Sequence, residues 1–134
     1  MKNPKPTILI LGASSFLSEH LIYQIKKTNK FKIICQSRKN LKKLFNLDDP
    51  EITFLKIDYS KEVLSIEPFV NCYYIINLIN AVYLKNSELI NLRKFLKHVF
   101  KVSKSSIIHI STASVYGACN DKIISENSIC NPQN

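Results

Sequence analysis

The apolar residues of this chain fall into short runs, separated by longer stretches in which apolar positions recur every three or four residues. The first run, residues 8–11, carries no charge, which is typical of a strand buried on both faces of a parallel sheet. After Gly12 and a short polar turn, apolar residues return at helical spacing from Phe16 to Ile25. Residues 7–25 therefore predict a strand, a tight turn and an amphipathic helix.

The later runs predict four more strands, at 31–36, 52–57, 73–79 and 107–110, and helices at 41–47, 61–66 and 86–102. Because strands alternate with helices, we expect an α/β fold, a doubly wound parallel sheet with right-handed crossovers and the strand order 3-2-1-4-5. In such a sheet a ligand lies beyond the carboxyl ends of the strands, where the winding direction reverses.

Length and composition predict one domain, residues 1–134, since 134 residues with 46% hydrophobic content can form one core but not two. The longest apolar stretch, 72–79, is far shorter than a membrane span, and the N-terminal run is too brief for a signal peptide. We therefore expect a cytoplasmic protein with no membrane partner.

The four cysteines form no C-x-x-C pair and lack metal-ligand spacing with the histidines, so we expect reduced, structural thiols and no metal site.

The chain has a formal net charge of +9, and eight of its nineteen basic residues lie between Lys26 and Lys43. Such clustering can indicate nucleic-acid binding. However, these residues fall on the solvent sides of predicted helices, and the interleaved aromatic residues, Phe31 and Phe45, fit the core. We interpret the charge as a solvated surface that attracts an anionic cofactor or substrate, and we expect no nucleic-acid partner.

Several segments together resemble the N-terminal part of the extended short-chain dehydrogenase/reductase family, the NAD(P)-dependent sugar-nucleotide epimerases and dehydratases. The segments that carry the resemblance are I-L-G-A-S-S-F-L-S at 10–18, K-I-D at 56–58, I-I-N-L at 75–78, I-H-I-S-T-A-S-V-Y-G at 108–117, Glu126 and P-Q-N at 132–134. The S-T-A-S-V-Y-G stretch after an apolar strand is the most specific of them. The resemblance implies a Rossmann-type fold, a bound NAD or NADP and a nucleotide-sugar substrate, and it allows a homodimer.

By that resemblance, the cofactor-binding residues are Gly12, Ser14, Ser15, Phe16 and Leu17 at the pyrophosphate, Asp58 at the adenine amino group, Arg38, Asn77 and Leu78. Thr112 matches the catalytic Ser/Thr that orients the substrate oxygen, although a threonine hydroxyl can also simply terminate a strand by bonding to nearby backbone. The residues after the second strand determine whether the site binds a ribose hydroxyl, as in NAD, or a ribose phosphate, as in NADP. Here they include Arg38 and no carboxylate. This favours NADP over NAD unless Arg38 is only a solvated loop residue.

Two departures from the family pattern limit what the resemblance implies. Ser15 and Ser18 replace glycines, and Ser15 could either donate a hydrogen bond to the pyrophosphate or obstruct it. The catalytic Tyr-x-x-x-Lys pair is missing, since its only internal match, Tyr23 and Lys27, lies on the first predicted helix. We therefore expect a truncated domain, the nucleotide-binding part of an epimerase/dehydratase or reductase that is inactive by itself. The alternative is a non-catalytic Rossmann-type module that senses nucleotide or docks to a partner.

Overall fold

The computed structural model describes residues 4–41, 49–61, 67–80, 83–111, 116–117 and 124–131. The strands are β1 (Thr7–Leu11), β2 (Lys32–Ser37), β3 (Ile52–Lys56), β4 (Tyr74–Asn77) and β5 (Ser106–His109). The α-helices are α1 (Phe16–Thr28) and α2 (Asn86–Val102), and a 3-10 turn covers Glu67–Phe69. The helices predicted at 41–47 and 61–66 lie outside the described residues, apart from Leu41 and Lys61.

The strands form one parallel sheet in the order β3-β2-β1-β4-β5, as the alternation of strands and helices predicted. β1 lies at the centre, with Leu11 in register with Gln36 on one side and with Asn77 on the other. The winding direction reverses at β1, because the chain moves from β1 outward to β2 and β3 and then returns to β4. The carboxyl ends of β1, β2 and β4 thus meet at the switch point where such sheets bind ligands.

The sheet is covered on both faces at β1, and successive residues of this strand supply opposite cores. Ile8 and Ile10 of β1 pack with Ile22 of α1, whereas Leu9 and Leu11 pack in the core that includes residues of α2. This alternation follows from the two-residue period of a strand. It explains why β1 contains no polar residue between Ile8 and Leu11, since all four side chains are buried.

The observed elements differ from the predicted ones mainly at their ends. β4 is shorter than the predicted strand 73–79, because Leu78 N is the last to donate to β1, at the Leu11 carbonyl, and Ile79 N donates instead to the side chain of Asn77. Phe16 and Leu17, predicted as part of the apolar face of the first helix, are 80% and 50% exposed. They occupy the first turn of α1, which begins beyond the carboxyl end of β1, so the sheet does not cover them.

Candidate functional site

A cavity of about 570 Å³ lies at the carboxyl ends of the strands. Its volume falls within the roughly 300–1,000 Å³ that is usual for small-molecule and cofactor sites. The described residues that line it are Gly12, Ser14, Ser15, Leu17, Gln36, Ser37, Arg38, Tyr59, Leu78, Ile79, Asn80, Tyr83, Leu84, His109, Ile110 and Ser111. Among these, Arg38 is the only arginine or lysine and there is no aspartate or glutamate, so the described wall favours an anionic ligand.

Gly12 forms the bend between β1 and α1, and its environment requires glycine. Its φ is +76°, a conformation that residues with a Cβ rarely adopt. A Cβ at this position would lie 3.1 Å from Ile79 N and 3.1 Å from the carbonyl carbon of Leu78. The bend therefore lies directly against the backbone that follows β4, which brings two cavity-lining segments together.

Gln36 fixes this bend from the other side. Its side chain is buried, Gly12 N donates to its Oε1 at 3.2 Å, and its Nε2 donates to the Ile57 carbonyl at 3.1 Å. Ala13 N donates to the Gln36 carbonyl at 2.8 Å. One side chain at the end of β2 thus ties the bend after β1 to the segment after β3, with its amide oxygen as acceptor and its amide nitrogen as donor.

The two serines that replace glycines have different roles. Ser15 is the N-cap of α1, and its Oγ accepts a hydrogen bond from Ser18 N at 3.3 Å. Ser18 is completely buried, and its Oγ lies 2.7 Å from the Ala13 carbonyl oxygen and 2.5 Å from that of Ser15. Ser18 therefore holds the turn internally, whereas Ser15 lines the cavity and keeps its hydroxyl hydrogen without an acceptor among the described residues.

Arg38 lines the cavity just after β2, where its guanidinium pairs with a carboxylate. Arg38 Nη1 lies 3.4 Å from Glu88 Oε1, with the arginine side chain half exposed and the glutamate side chain 10% exposed. The other oxygen, Glu88 Oε2, accepts from Lys85 N at 2.8 Å at the start of α2. The cation expected to contact a ribose phosphate is thus already engaged with α2.

Asp58 follows β3 and is exposed, but it does not line the cavity. Its carboxylate accepts from Ser60 N at 3.0 Å. The pKa of Asp58 lies below its ordinary value, chiefly because of the backbone and hydroxyl hydrogen bonds from Ser60, with a smaller contribution from the charge of Arg38. The next residue, Tyr59, is buried and lines the cavity.

A buried polar pair connects the ends of β4 and β5. Asn77 is 5% exposed, and its Oδ1 accepts from Ile79 N at 3.1 Å. Its Nδ2 lies 3.1 Å from Nδ1 of His109, the residue with which it is in register. Asn77 therefore holds two residues of the lining, Ile79 and His109, although it is not part of the lining itself.

Of the nine cofactor-binding residues predicted from the resemblance, six line the cavity: Gly12, Ser14, Ser15, Leu17, Arg38 and Leu78. Phe16, Asp58 and Asn77 lie beside it in the chain but do not line it. Thr112 lies outside the described residues.

Sequence reasoning did not select several of the lining residues, including Tyr83, Leu84 and His109. The one signal available for His109 is a polar residue inside an otherwise apolar strand. Tyr23 and Lys27, which share the spacing of the catalytic pair, lie on α1 with Lys27 Nζ 4.4 Å from the Tyr23 ring centroid, and neither lines the cavity.

Solved structures with the same fold include sugar-nucleotide enzymes. The dTDP-glucose 4,6-dehydratase of Bacillus anthracis, solved with NAD, superposes with a TM-score of 0.70 at 20% identity, over 96% of this chain and 45% of that one. The UDP-glucuronic acid 4-epimerase of Bacillus cereus, also solved with NAD, gives a TM-score of 0.71 at 19% identity, over 96% of this chain and 46% of that one. The terminal R domain from the myxalamid PKS-NRPS biosynthetic pathway gives 0.72 at 19% identity, over 98% and 41%.

This chain thus spans less than half the length of each of these three chains. At such identities the similarity establishes the Rossmann-like fold. No family model and no curated protein sequence matches the chain. Within the described residues, no helix has both the length and the apolar character needed to cross a membrane.

Proposed function

We propose that this chain binds a nicotinamide dinucleotide in the cavity at the carboxyl ends of its strands, as the nucleotide-binding part of an NAD(P)-dependent sugar-nucleotide epimerase/dehydratase or reductase. The observation that carries the proposal is the bend at Gly12, which lies at the switch point of the sheet and lines the cavity. Enzymes of the same fold, the dehydratase and the epimerase described above, were solved with NAD.

The residues around the bend fit a pyrophosphate. A Cβ at Gly12 would crowd the backbone after β4. Because residue 12 is glycine, the bend packs closely against that backbone, and no side chain at this position blocks a ligand. The first N–H groups of α1, at Phe16 and Leu17, have no acceptor within the helix, and the positive end of the helix dipole favours an anion there. The hydroxyl of Ser15 adds a donor on the cavity wall, which supports the view that serine substitutes for glycine at this position.

The remaining roles follow the orientation of a dinucleotide across the sheet. With the pyrophosphate at β1, the adenosine half extends over β2 and β3, toward Arg38 and Asp58, and the nicotinamide half extends over β4 and β5. Arg38 then contacts the ribose phosphate of NADP, and Asp58 accepts from the adenine amino group. Asn77 and Leu78 support the nicotinamide half, and Thr112 orients the oxygen of a nucleotide-sugar substrate.

Dinucleotide binding is tested by titrating the purified chain with NAD⁺ and NADP⁺ and following the melting temperature. A ligand at one hundred times its dissociation constant adds about 2.7 kcal/mol to the free energy of unfolding. Ser15→Asp is the diagnostic variant, because aspartate retains the N-cap of α1 but places a negative charge at the pyrophosphate. Gln24→Glu introduces the same charge on the exposed side of α1 and serves as its control.

We expect the wild type and Gln24→Glu to gain melting temperature with dinucleotide and Ser15→Asp to gain none. An unchanged melting temperature of the wild type at millimolar concentrations of both dinucleotides would refute the proposal. An equal gain for Ser15→Asp would place the pyrophosphate elsewhere.

Turnover is expected to be absent from these 134 residues alone. The proton exchange with a substrate hydroxyl that accompanies hydride transfer needs a positioned acid/base, and no Tyr-x-x-x-Lys pair lies at the cavity. Reductase activity of the purified chain with NAD(P)H would contradict this expectation. A non-catalytic nucleotide-sensing module is the alternative, and the coding sequence beyond Asn134 distinguishes the two. A continuation with tyrosine, three residues and lysine favours the enzyme.

A further inference from the structure

The hydrogen bonds around Asn77 determine which nitrogen of His109 carries its proton. Asn77 Oδ1 accepts from Ile79 N at 3.1 Å, so the amide cannot be reversed without directing its NH₂ group at a backbone donor. Asn77 Nδ2 must therefore be the group that faces His109 Nδ1, 3.1 Å away. Because the amide nitrogen is only a donor, Nδ1 accepts, and the hydrogen of the neutral imidazole is on Nε2.

His109 is exposed on a wall of the cavity, and its Nε2–H has no acceptor among the described residues. Its neighbours on this wall are Ile110 and Ser111, which follow β5. The strand register places the ring beside Asn77, because His109 on β5 is the register partner of Asn77 on the neighbouring strand β4. The buried amide of Asn77 thus positions the imidazole and leaves it with one remaining polar function, a hydrogen-bond donor.

We propose that His109 is a ligand-positioning residue whose Nε2–H donates to an oxygen of the ligand half that extends over β4 and β5. This inference rests on the proposed function, which places the nicotinamide ribonucleoside half of the dinucleotide at this end of the cavity. The acceptor is a ribose hydroxyl or the carboxamide oxygen of that half. The adenosine half lies on the opposite side of β1 and does not contact His109.

The tautomer can be measured without any ligand. His20 is an internal reference, because its Nδ1 lies 3.2 Å from the Phe16 carbonyl oxygen, and a carbonyl can only accept. The spectra are recorded at about pH 8. Long-range ¹H–¹⁵N correlation spectra should show hydrogen on Nε2 of His109 and on Nδ1 of His20. Hydrogen on Nδ1 of His109 would overturn the inference.

The ligand contact is tested with a pair of variants that reproduce different parts of the ring. His109→Gln extends an amide NH₂ to about the position of Nε2 and retains a donor, whereas His109→Leu removes it. We expect His109→Leu to weaken NAD⁺ binding roughly three- to tenfold, as loss of one neutral hydrogen bond predicts, and His109→Gln to restore most of the affinity. A merely structural role for His109 would not give this rescue. Equal affinity of both variants and the wild type would overturn the proposal.

Shorter ligands identify the half of the dinucleotide that is contacted. ADP lacks the distal ribose and the nicotinamide, so His109→Leu should bind ADP like the wild type. A loss with both NAD⁺ and ADP-ribose assigns the contact to the distal ribose, and a loss with NAD⁺ alone assigns it to the carboxamide. A loss with ADP as well would contradict the inference. Failure of the wild type to bind any of the three ligands would instead refute the proposed function, and the tautomer measurement would still stand.

Discussion

Arg38 and Glu88 form an ion pair that joins the end of β2 to the first turn of α2, with Nη1 3.4 Å from Oε1. The pair is asymmetric, because the guanidinium is half exposed at the cavity and the carboxylate is largely buried. Glu88 also accepts from Lys85 N through its second oxygen. In the proposed function, the ribose phosphate of NADP competes with this carboxylate for Arg38.

We therefore expect Glu88→Gln to raise the affinity for NADP⁺ about two- to fivefold relative to NAD⁺, because partly exposed ion pairs contribute up to about 1 kcal/mol. Glutamine retains an oxygen that can accept from Lys85 N but has no charge to hold Arg38. Titration of both dinucleotides by calorimetry measures the ratio. The double variant Arg38→Gln/Glu88→Gln should show no gain in NADP⁺ affinity. If Glu88→Gln instead raised the affinity for NAD⁺ as much as that for NADP⁺, Arg38 would not be the residue that contacts the ribose phosphate.

Gly12→Ala should destabilise the fold as well as the site. The substitution imposes a Cβ at φ +76° and places it 3.1 Å from backbone atoms of Leu78 and Ile79. We expect the free energy of unfolding to fall by about 1–3 kcal/mol, measured by urea denaturation. Ser14→Ala, in the exposed part of the same loop, should change it by less than about 0.5 kcal/mol. A similar small effect for Gly12→Ala would show that the loop relaxes freely.

Asp49 makes the fold sensitive to acid. It accepts from Lys26 Nζ at 2.8 Å and from Glu51 N at 2.8 Å, and these bonds, that of Lys26 first, lower the pKa of Asp49 below its ordinary 3.8. A carboxyl with a lower pKa in the folded state stabilises it above the unfolded-state pKa, and this contribution is lost as the pH falls through the folded-state pKa. The melting temperature of Asp49→Asn should therefore decrease less than that of the wild type between about pH 5 and pH 2. Parallel curves would contradict this assignment.

The cysteine thiols should differ sharply in reactivity. Burial raises the pKa of Cys35 to about 12 and that of Cys72 to about 11, whereas Cys130 is exposed. Because the thiolate is the reactive form, a disulfide reagent at pH 8 should modify Cys130 quickly and spare the two buried thiols until the chain unfolds. Cys119 lies outside the described residues, so the measurement uses a Cys119→Ser background. Cys130→Ser should abolish the fast phase, and rapid modification of Cys35 would indicate that the core under α1 opens easily.

The strands and their order could be predicted from the sequence. The uncharged run from Ile8 to Leu11 is typical of a strand buried on both faces, and the alternation of strands with helices favours parallel pairing. Asn86–Val102 was also predicted with its observed bounds, since Leu92 and Val99 recur with the helical period. Strand ends were less accurate, because they depend on where the neighbouring strand stops.

The sequence by itself determined the fold class, the switch point and the bend at Gly12, because these follow from local periodicity and from the short range of a turn. Only the tertiary structure decided that Gln36 is a clamp, that Ser18 faces inward and that Arg38 is paired with Glu88. It also decided that the Asn77 amide lies 3.1 Å from Nδ1 of His109 on the neighbouring strand. The contacts of Gln36, Arg38 and Asn77 all involve partners at least twenty residues away in the sequence. The contacts of Ser18 are local, but its burial depends on how closely α1 packs. Sequence spacing contains no information about such contacts, since it is the sheet that brings the partners together.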